Sequence, residues 1–223
     1  MLDNIIALWP EIVVALGQTF YMMVISLGIA IVIGTPLGTL LFLIRPGSLV
    51  NAPRLYVVID GMVNIVRSFP FLILLIAIIP LTRFIVGTPI GTTAVTVPLA
   101  ISAIPEFARF VEQTLLEVNR GVIEAAESMG ANTYQIIWKV LYVEARSGIA
   151  NAATIISVSF LSYSTVAGLV GGGGIGDFAI RYGYYRYQTE KMESYYEKDT
   201  VDGYYRDFPS HDGMQYERNR NWQ

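Results

Sequence analysis

An all-α, polytopic membrane helical bundle is the fold class this sequence predicts, on three observations. The 223 residues are 53% hydrophobic and carry a formal net charge of -3. Charge is absent from four runs, Ile12 to Ile44, Ser68 to Thr82, Phe84 to Pro105 and Ser147 to Gly176. A helix needs roughly 20 mainly apolar residues to cross a hydrocarbon core about 30 Å thick, and three of the runs reach that length outright. The second does so only if its helix starts near Leu55, which brings Asp60, Asn64 and Arg67 into or beside the membrane. Four spans are therefore predicted, near residues 18–42, 55–79, 88–108 and 148–170.

Span one holds Gly28, Gly34, Pro36 and Gly38. A bilayer helix tolerates these when neighbours satisfy the freed backbone groups, and small residues at this density predict close helix packing. Gly34 and Gly38 form a GxxxG match, read here as packing within the chain rather than as a dimer seam. No Lys or Arg precedes the run, so it is expected to stay in the mature protein rather than act as a cleaved leader. Pro46-Gly47 and Asn51-Ala52-Pro53 mark a short turn before span two.

In span two, Asp60, Asn64 and Arg67 recur at i, i+4, i+7 and so share one narrow helical face. Ionisable groups at membrane depth are costly and face a bundle interior or a watery cavity, which makes this stripe a candidate pathway or gate element. Asp60 is then the expected partner of Arg67, with a group on a facing subunit as the other choice. The competing reading keeps Asp60 interfacial and lets Arg67 snorkel to it or to lipid headgroups.

Lys and Arg are enriched in cytoplasmic loops. Arg45 and Arg54 flank the first connection, and Arg109, Arg120, Lys139 and Arg146 follow span three, whereas the N-terminal segment has neither residue type. The N-terminus is thus predicted outside, and both Arg-richer connections in the cytoplasm.

The connection after span three carries an amphipathic pattern. From Thr114 to Met129, one helical face collects Leu115, Val118, Val122, Ala126 and Met129, and another Glu117, Arg120, Glu124 and Glu127. An Arg120 to Glu124 pair is expected on the wet face. Gly130 suits a left-handed helix stop, and Asn132 with Gln135 suits a capping-box start for a second helix over Thr133 to Arg146. From composition alone this is a solvated cytoplasmic helical hairpin.

Glu124-Ala125-Ala126, three further residues and then Gly130 resemble the EAA loop of bacterial ATP-binding cassette import permeases. Arg67-Ser68-Phe69-Pro70-Phe71, Ile79-Pro80-Leu81-Thr82-Arg83, Asn151-Ala152-Ala153-Thr154 and Tyr182-Gly183-Tyr184, in that order, look like the methionine import permease subfamily across residues 10–192. One departure is that Tyr142-Val143 stands where the subfamily often has Leu-Pro, which predicts a straighter helix into Glu144-Ala145-Arg146.

The resemblance implies an ABC importer permease fold in a bacterial inner or plasma membrane, working as a homodimer within membrane lipid. Its expected partners are a cytoplasmic ATP-binding cassette ATPase and an external methionine-binding lipoprotein, with no nucleic acid. Glu124, Ala125, Ala126 and Gly130 would form the ATPase-coupling contact, Glu124 as its acidic group. ATP and Mg would sit on the partner, none on this chain, and the cargo would be D- and L-methionine. Import of another amino acid, or a nontransporting membrane scaffold, are the alternatives.

Enzyme chemistry finds no support in the residues. With no cysteine, disulfides and thiol catalysis are excluded, and the one histidine, His211, lies in a polar tail. No Walker sequence, paired catalytic carboxylates or metal-ligand cluster is visible. Gly171, Gly173 and Gly176 give a literal GxGxxG, but they follow a membrane span rather than a strand, so a dinucleotide site is rejected.

Residues 1–188 are read as the permease domain, with the coupling loop at about 110–146, and 189–223 as a poorly ordered tail. That tail has eight acidic and five basic residues, which accounts for all of the net charge. Permeases of the resembled subfamily have a fifth span there. Its absence predicts an external C-terminus and points to a shifted reading frame or early divergence, with a dedicated external binding tail as the alternative.

Overall fold

The structure is a computed structural model that describes residues 2–185. Within the unit that ends at Ile180 the order is α1 (Leu2–Ile44), α2 (Pro53–Ser68), α3 (Phe71–Ala77), α4 (Ile79–Val86), α5 (Thr92–Leu116), α6 (Arg120–Ser128), α7 (Thr133–Ile136), α8 (Tyr142–Gly168) and α9 (Gly174–Ala179). A π-helical segment, Ile137–Leu141, joins α7 to α8. A second unit begins at Arg181, and its described part is π-helical through Tyr185. The expected boundary at 188/189, the polar tail with His211 and the place of a fifth span lie outside the described residues.

Helix α5 is the centre of the bundle. Its apolar window is 61% buried, against 39% for Leu8–Ile44 and 22% for Thr133–Gly168. Helices α1, α2, α3, α4 and α8 all pack on it. Leu99, Phe107, Val111 and Leu115 of α5 meet Met22 of α1 and Ile156 and Phe160 of α8 in one apolar core. Polar side chains within the spans are satisfied locally. The hydroxyls of Thr154, Ser157, Ser159, Ser164 and Thr165 each donate to a carbonyl one turn earlier on α8, the arrangement a water-free environment favours.

Close approach explains the glycines of α1. A Cβ on Gly34 would lie 3.0 Å from the Ile104 carbonyl oxygen, and one on Gly38 would meet the Ala108 carbonyl and lie 2.8 Å from Val111 Cβ. The GxxxG match is therefore the seam between α1 and α5. The glycine-rich turn has an equally structural account: Gly174 N–H donates to Gln18 Oε1 at 2.7 Å and Ile175 N–H to Thr19 Oγ1 at 2.9 Å. These amides, which a dinucleotide site would offer to phosphate, are used to bind α9 to α1.

Among the described residues three helices are long and apolar enough to cross a membrane, or four if the bent pair α2 and α3 counts as one span. The segment expected as one span near 55–79 is broken: α2 and α3 meet at 101°. Pro70 causes the break, because a residue before proline is pushed out of the helical region, and Phe69 is extended at φ -81°, ψ 128°. Past the turn at Gly130 the chain behaves as Tyr142-Val143 suggests, helical without a stop from Thr133 to Gly168 apart from the π segment.

The α1–α5 seam yields a paired test. Gly38→Ala is expected to destabilise the solubilised protein by about 1–3 kcal/mol, the usual range for overpacking. Gly28→Ala, with nothing within 4 Å of the added carbon, is expected to leave thermal unfolding unchanged; equal melting shifts in the two variants would remove the seam from this account.

Candidate functional site: the coupling loop and the polar cluster beneath it

The loop after α5 is built by caps. The expected single helix over 114–129 is instead split at Glu117–Asn119, where the Asn119 side chain accepts from Gly121 N–H at 2.8 Å and starts α6. This break resets the helical phase. Leu115, Ile123 and Ala126 are buried, while Val122 and Met129, expected on the apolar face, are exposed. Glu117, Arg120, Glu124 and Glu127 are all exposed as expected. Among the described residues no Arg120–Glu124 ion pair forms; Glu124 and Glu127 face outward without one.

Gly130 ends α6 at φ +81°, with its N–H on the Glu127 carbonyl at 2.9 Å and Ala131 N–H on that of Ala126 at 3.0 Å. The next helix begins with the full capping box: Asn132 Oδ1 accepts from Gln135 N–H at 2.9 Å, and Gln135 Oε1 from Asn132 N–H at 3.0 Å. Ala125 is exposed and Ala126 buried, so α6 presents Glu124, Ala125 and Gly130 outward on a short, rigidly capped helix.

Tyr142 ties this loop to the bundle. Its hydroxyl donates to Thr39 Oγ1 at 2.7 Å, since Thr39 itself donates to the Thr35 carbonyl at 2.8 Å. Its ring meets Trp138 edge-on at 5.1 Å. The side chain that departs from the subfamily pattern thus fixes the start of α8 to α1.

The polar stripe of α2 is only partly as expected. Asp60 and Asn64 do come together, Asn64 Nδ2 donating to Asp60 Oδ2 at 2.9 Å. Asp60 is not the partner of Arg67, however. It pairs with Arg109 of α5, whose Nη2 also donates to Asn64 Oδ1 at 3.2 Å. Arg67 is exposed, one turn further along, within electrostatic reach of Glu106. A neighbouring helix brings a guanidinium nearer to Asp60 than the same helix can.

Arg109 does more than pair with Asp60. Its Nη1 donates to Glu112 Oε2 at 2.5 Å, and Glu112 is 2% exposed. The other oxygen of Glu112 accepts from the Tyr56 hydroxyl at 3.2 Å and lies 4.0 Å from Arg45. Arg45, Tyr56, Arg109 and Glu112 are the members that sequence reasoning missed. One signal was available: Glu106, Arg109 and Glu112 recur at i, i+3, i+6 directly after an uncharged run, a charged face too close to a span to be simply solvated.

The family model for binding-protein-dependent transport system inner membrane components matches residues 30–192. The "Probable D-methionine transport system permease protein MetI" of Vibrio cholerae is 50% identical over 194 residues, 85% of this chain and 86% of that protein. The D-methionine transport system permease protein MetI of Escherichia coli K12 is 47% identical over 151 residues, 68% of this chain and 70% of that protein. A solved inward-facing structure of the MetNI methionine ABC transporter superposes with a TM-score of 0.79 at 44% identity, over 84% of this chain and 85% of that one. An amino acid ABC transporter crystallised with histidines shares the fold at a TM-score of 0.64 and 19% identity. With a family match over residues 30–192, this chain belongs to the inner-membrane components of binding-protein-dependent transport systems.

Proposed function

We propose that this chain is the membrane-spanning subunit of an ATP-driven methionine importer, taking D- and L-methionine. The observation that carries the reading is the capped α6 helix with Glu124, Ala125 and Gly130 outward, in a chain half identical to a D-methionine transport permease. Family membership favours transport over a nontransporting scaffold. The named relatives favour methionine over another amino acid.

In this reading the chain works as a homodimer. Its α6 helices dock on two cytoplasmic ATPase subunits, which hold ATP and Mg, and an external binding protein delivers the cargo. The permease breaks no bond. ATPase closure moves α6 and reorients the bundle between two states, each biased by the ligands it binds better. Asp60, Asn64 and Arg67 remain candidates for a pathway or gate, now joined by Arg109, which fixes the first two to α5.

Reconstitution with the ATPase and the binding protein in proteoliposomes is the direct test. ATP-dependent uptake of methionine is expected, and uptake of other amino acids but not methionine would replace the substrate. Glu124→Arg reverses the contact charge and Gly130→Pro removes the left-handed stop, so both are expected to abolish uptake while membrane insertion persists. Normal transport in both variants would remove the docking role.

Arg109 and Arg67 are expected to differ sharply in their structural weight. Arg109→Ala leaves buried Glu112 without its near cation, a defect of about 3–5 kcal/mol for broken buried pairs. It should lower the yield of folded protein, whereas Arg67→Ala should leave yield unchanged and report on uptake alone. Thermal unfolding in detergent separates the two; an Arg109→Ala variant as stable as the parent would contradict the cluster's role.

A further inference from the structure

Charge in the Arg109 cluster is not evenly matched. Asp60 and Glu112 share the one guanidinium of Arg109, and Glu112 is almost wholly buried. Among the described residues the other cation within ion-pair distance of Glu112 is Arg45, at 4.0 Å, the outer limit of a direct contact. Arg45 is 43% exposed, so its loose hold on Glu112 leaves the guanidinium open to a second partner.

Its backbone does not share that freedom. The turn after α1 is pinned by Ser48 N–H on the Arg45 carbonyl, Val50 N–H on Leu43 and Ala52 N–H on Ile44, each at 3.0 Å. The turn forms one wall of a cavity of about 450 Å³. The opposite wall is α6, which contributes Arg120, Ile123, Glu124 and Glu127, with Arg120 in no ion pair with either carboxylate among the described residues. A long cationic side chain anchored on a fixed turn therefore stands between a buried carboxylate and two exposed carboxylates that form no ion pair of their own among the described residues.

We propose that Arg45 is a positioning residue for transport coupling, exchanging its guanidinium between Glu112 of α5 and the Glu124/Glu127 face of α6. The inference rests on the docking role of α6 given above and adds the link from that helix to the bundle. When α6 approaches the turn, the cavity narrows and Arg45 moves to the α6 carboxylates. Glu112 then depends on Arg109 alone, which draws Arg109 from Asp60 and loosens α2. When α6 recedes, Arg45 returns to Glu112 and α2 is held again. An equilibrium of this kind shifts only by the differential affinity of Arg45 for its two partners.

The test uses the complete complex of this chain, its ATPase and its binding protein in lipid, with methionine as the probe. Arg45→Gln is expected to keep the ATPase bound and hydrolysis running while uptake per ATP falls about tenfold, a common size for coupling between sites. Arg45→Lys should restore most of the ratio, and Arg54→Gln, an exposed neighbour outside the cluster, should not change it.

A second reading needs no substrate. The chain has no native cysteine, so spin labels can be set at Val50→Cys and Ser128→Cys, and singly labelled controls identify the distances between the two subunits of the homodimer, leaving the turn-to-α6 distance. That distance should differ between nucleotide-free and ATP-trapped complexes, and Arg45→Gln should abolish the difference. An unchanged uptake-to-ATP ratio in Arg45→Gln, or the same nucleotide-dependent distance change with and without Arg45, would overturn the proposal. Failure of the unmodified chain to bind the ATPase would instead overturn the docking role itself, before any variant is compared.

Discussion

One guanidinium, that of Arg109, holds two carboxylates from two helices at the edge of an apolar bundle. Removing charges from water costs several kcal/mol each, and only close pairing with further hydrogen bonds offsets it. Asn64 and Tyr56 supply those further bonds. The orientation of α2 follows from this arrangement. Along α2 Val63 is the buried residue, too little apolar contact to fix the helix by packing, so the polar cluster sets its position on α5.

Helix α5 then links the apolar bundle to α6. Its C-terminal half is packed against α1 where Gly34 and Gly38 meet Ile104, Phe107, Ala108 and Val111, and the same half carries Arg109 and Glu112 before it ends at Leu116 and hands over to α6. Between them lie only the residues capped by Asn119. Force on α6 therefore reaches the buried charges through a short connection. The return path, α7 into α8, is stiffened by the capping box and by Tyr142 on Thr39. Two short, capped connections on either side of α6 suit the docking role proposed for it, which requires motion to be transmitted rather than absorbed.

Much of this was legible in the sequence because it depends on local rules. The uncharged runs located the long helices, Gly130 announced a left-handed stop, and Asn132 with Gln135 announced a capping box. Elements that depend on a neighbour were less visible. Pro70 lies in an uncharged run that reads as one span, and the 101° bend it causes leaves no mark in hydropathy. Asn119 capped a helix inside a pattern that looked continuous, shifting the buried face from Val122 to Ile123. Arg67 shared a face with Asp60 on paper, but the helix axis does not determine which adjacent helix brings a closer cation. The coupling role proposed for Glu124 rests on resemblance alone, since an exposed acid on a short helix has no chemistry of its own.

A double-mutant cycle between Asp60 and Arg109 tests most directly whether this pair joins α2 to α5. Asp60→Asn, Arg109→Gln and the combined variant would be compared by chemical unfolding in one detergent. A coupling of about 1 kcal/mol or more is expected, since residues sharing one ion-pair network depart from additivity by about 0.5–3 kcal/mol. Additive losses within about 0.3 kcal/mol would show that the two side chains act independently and would contradict the arrangement on which the rest of the bundle is argued to depend.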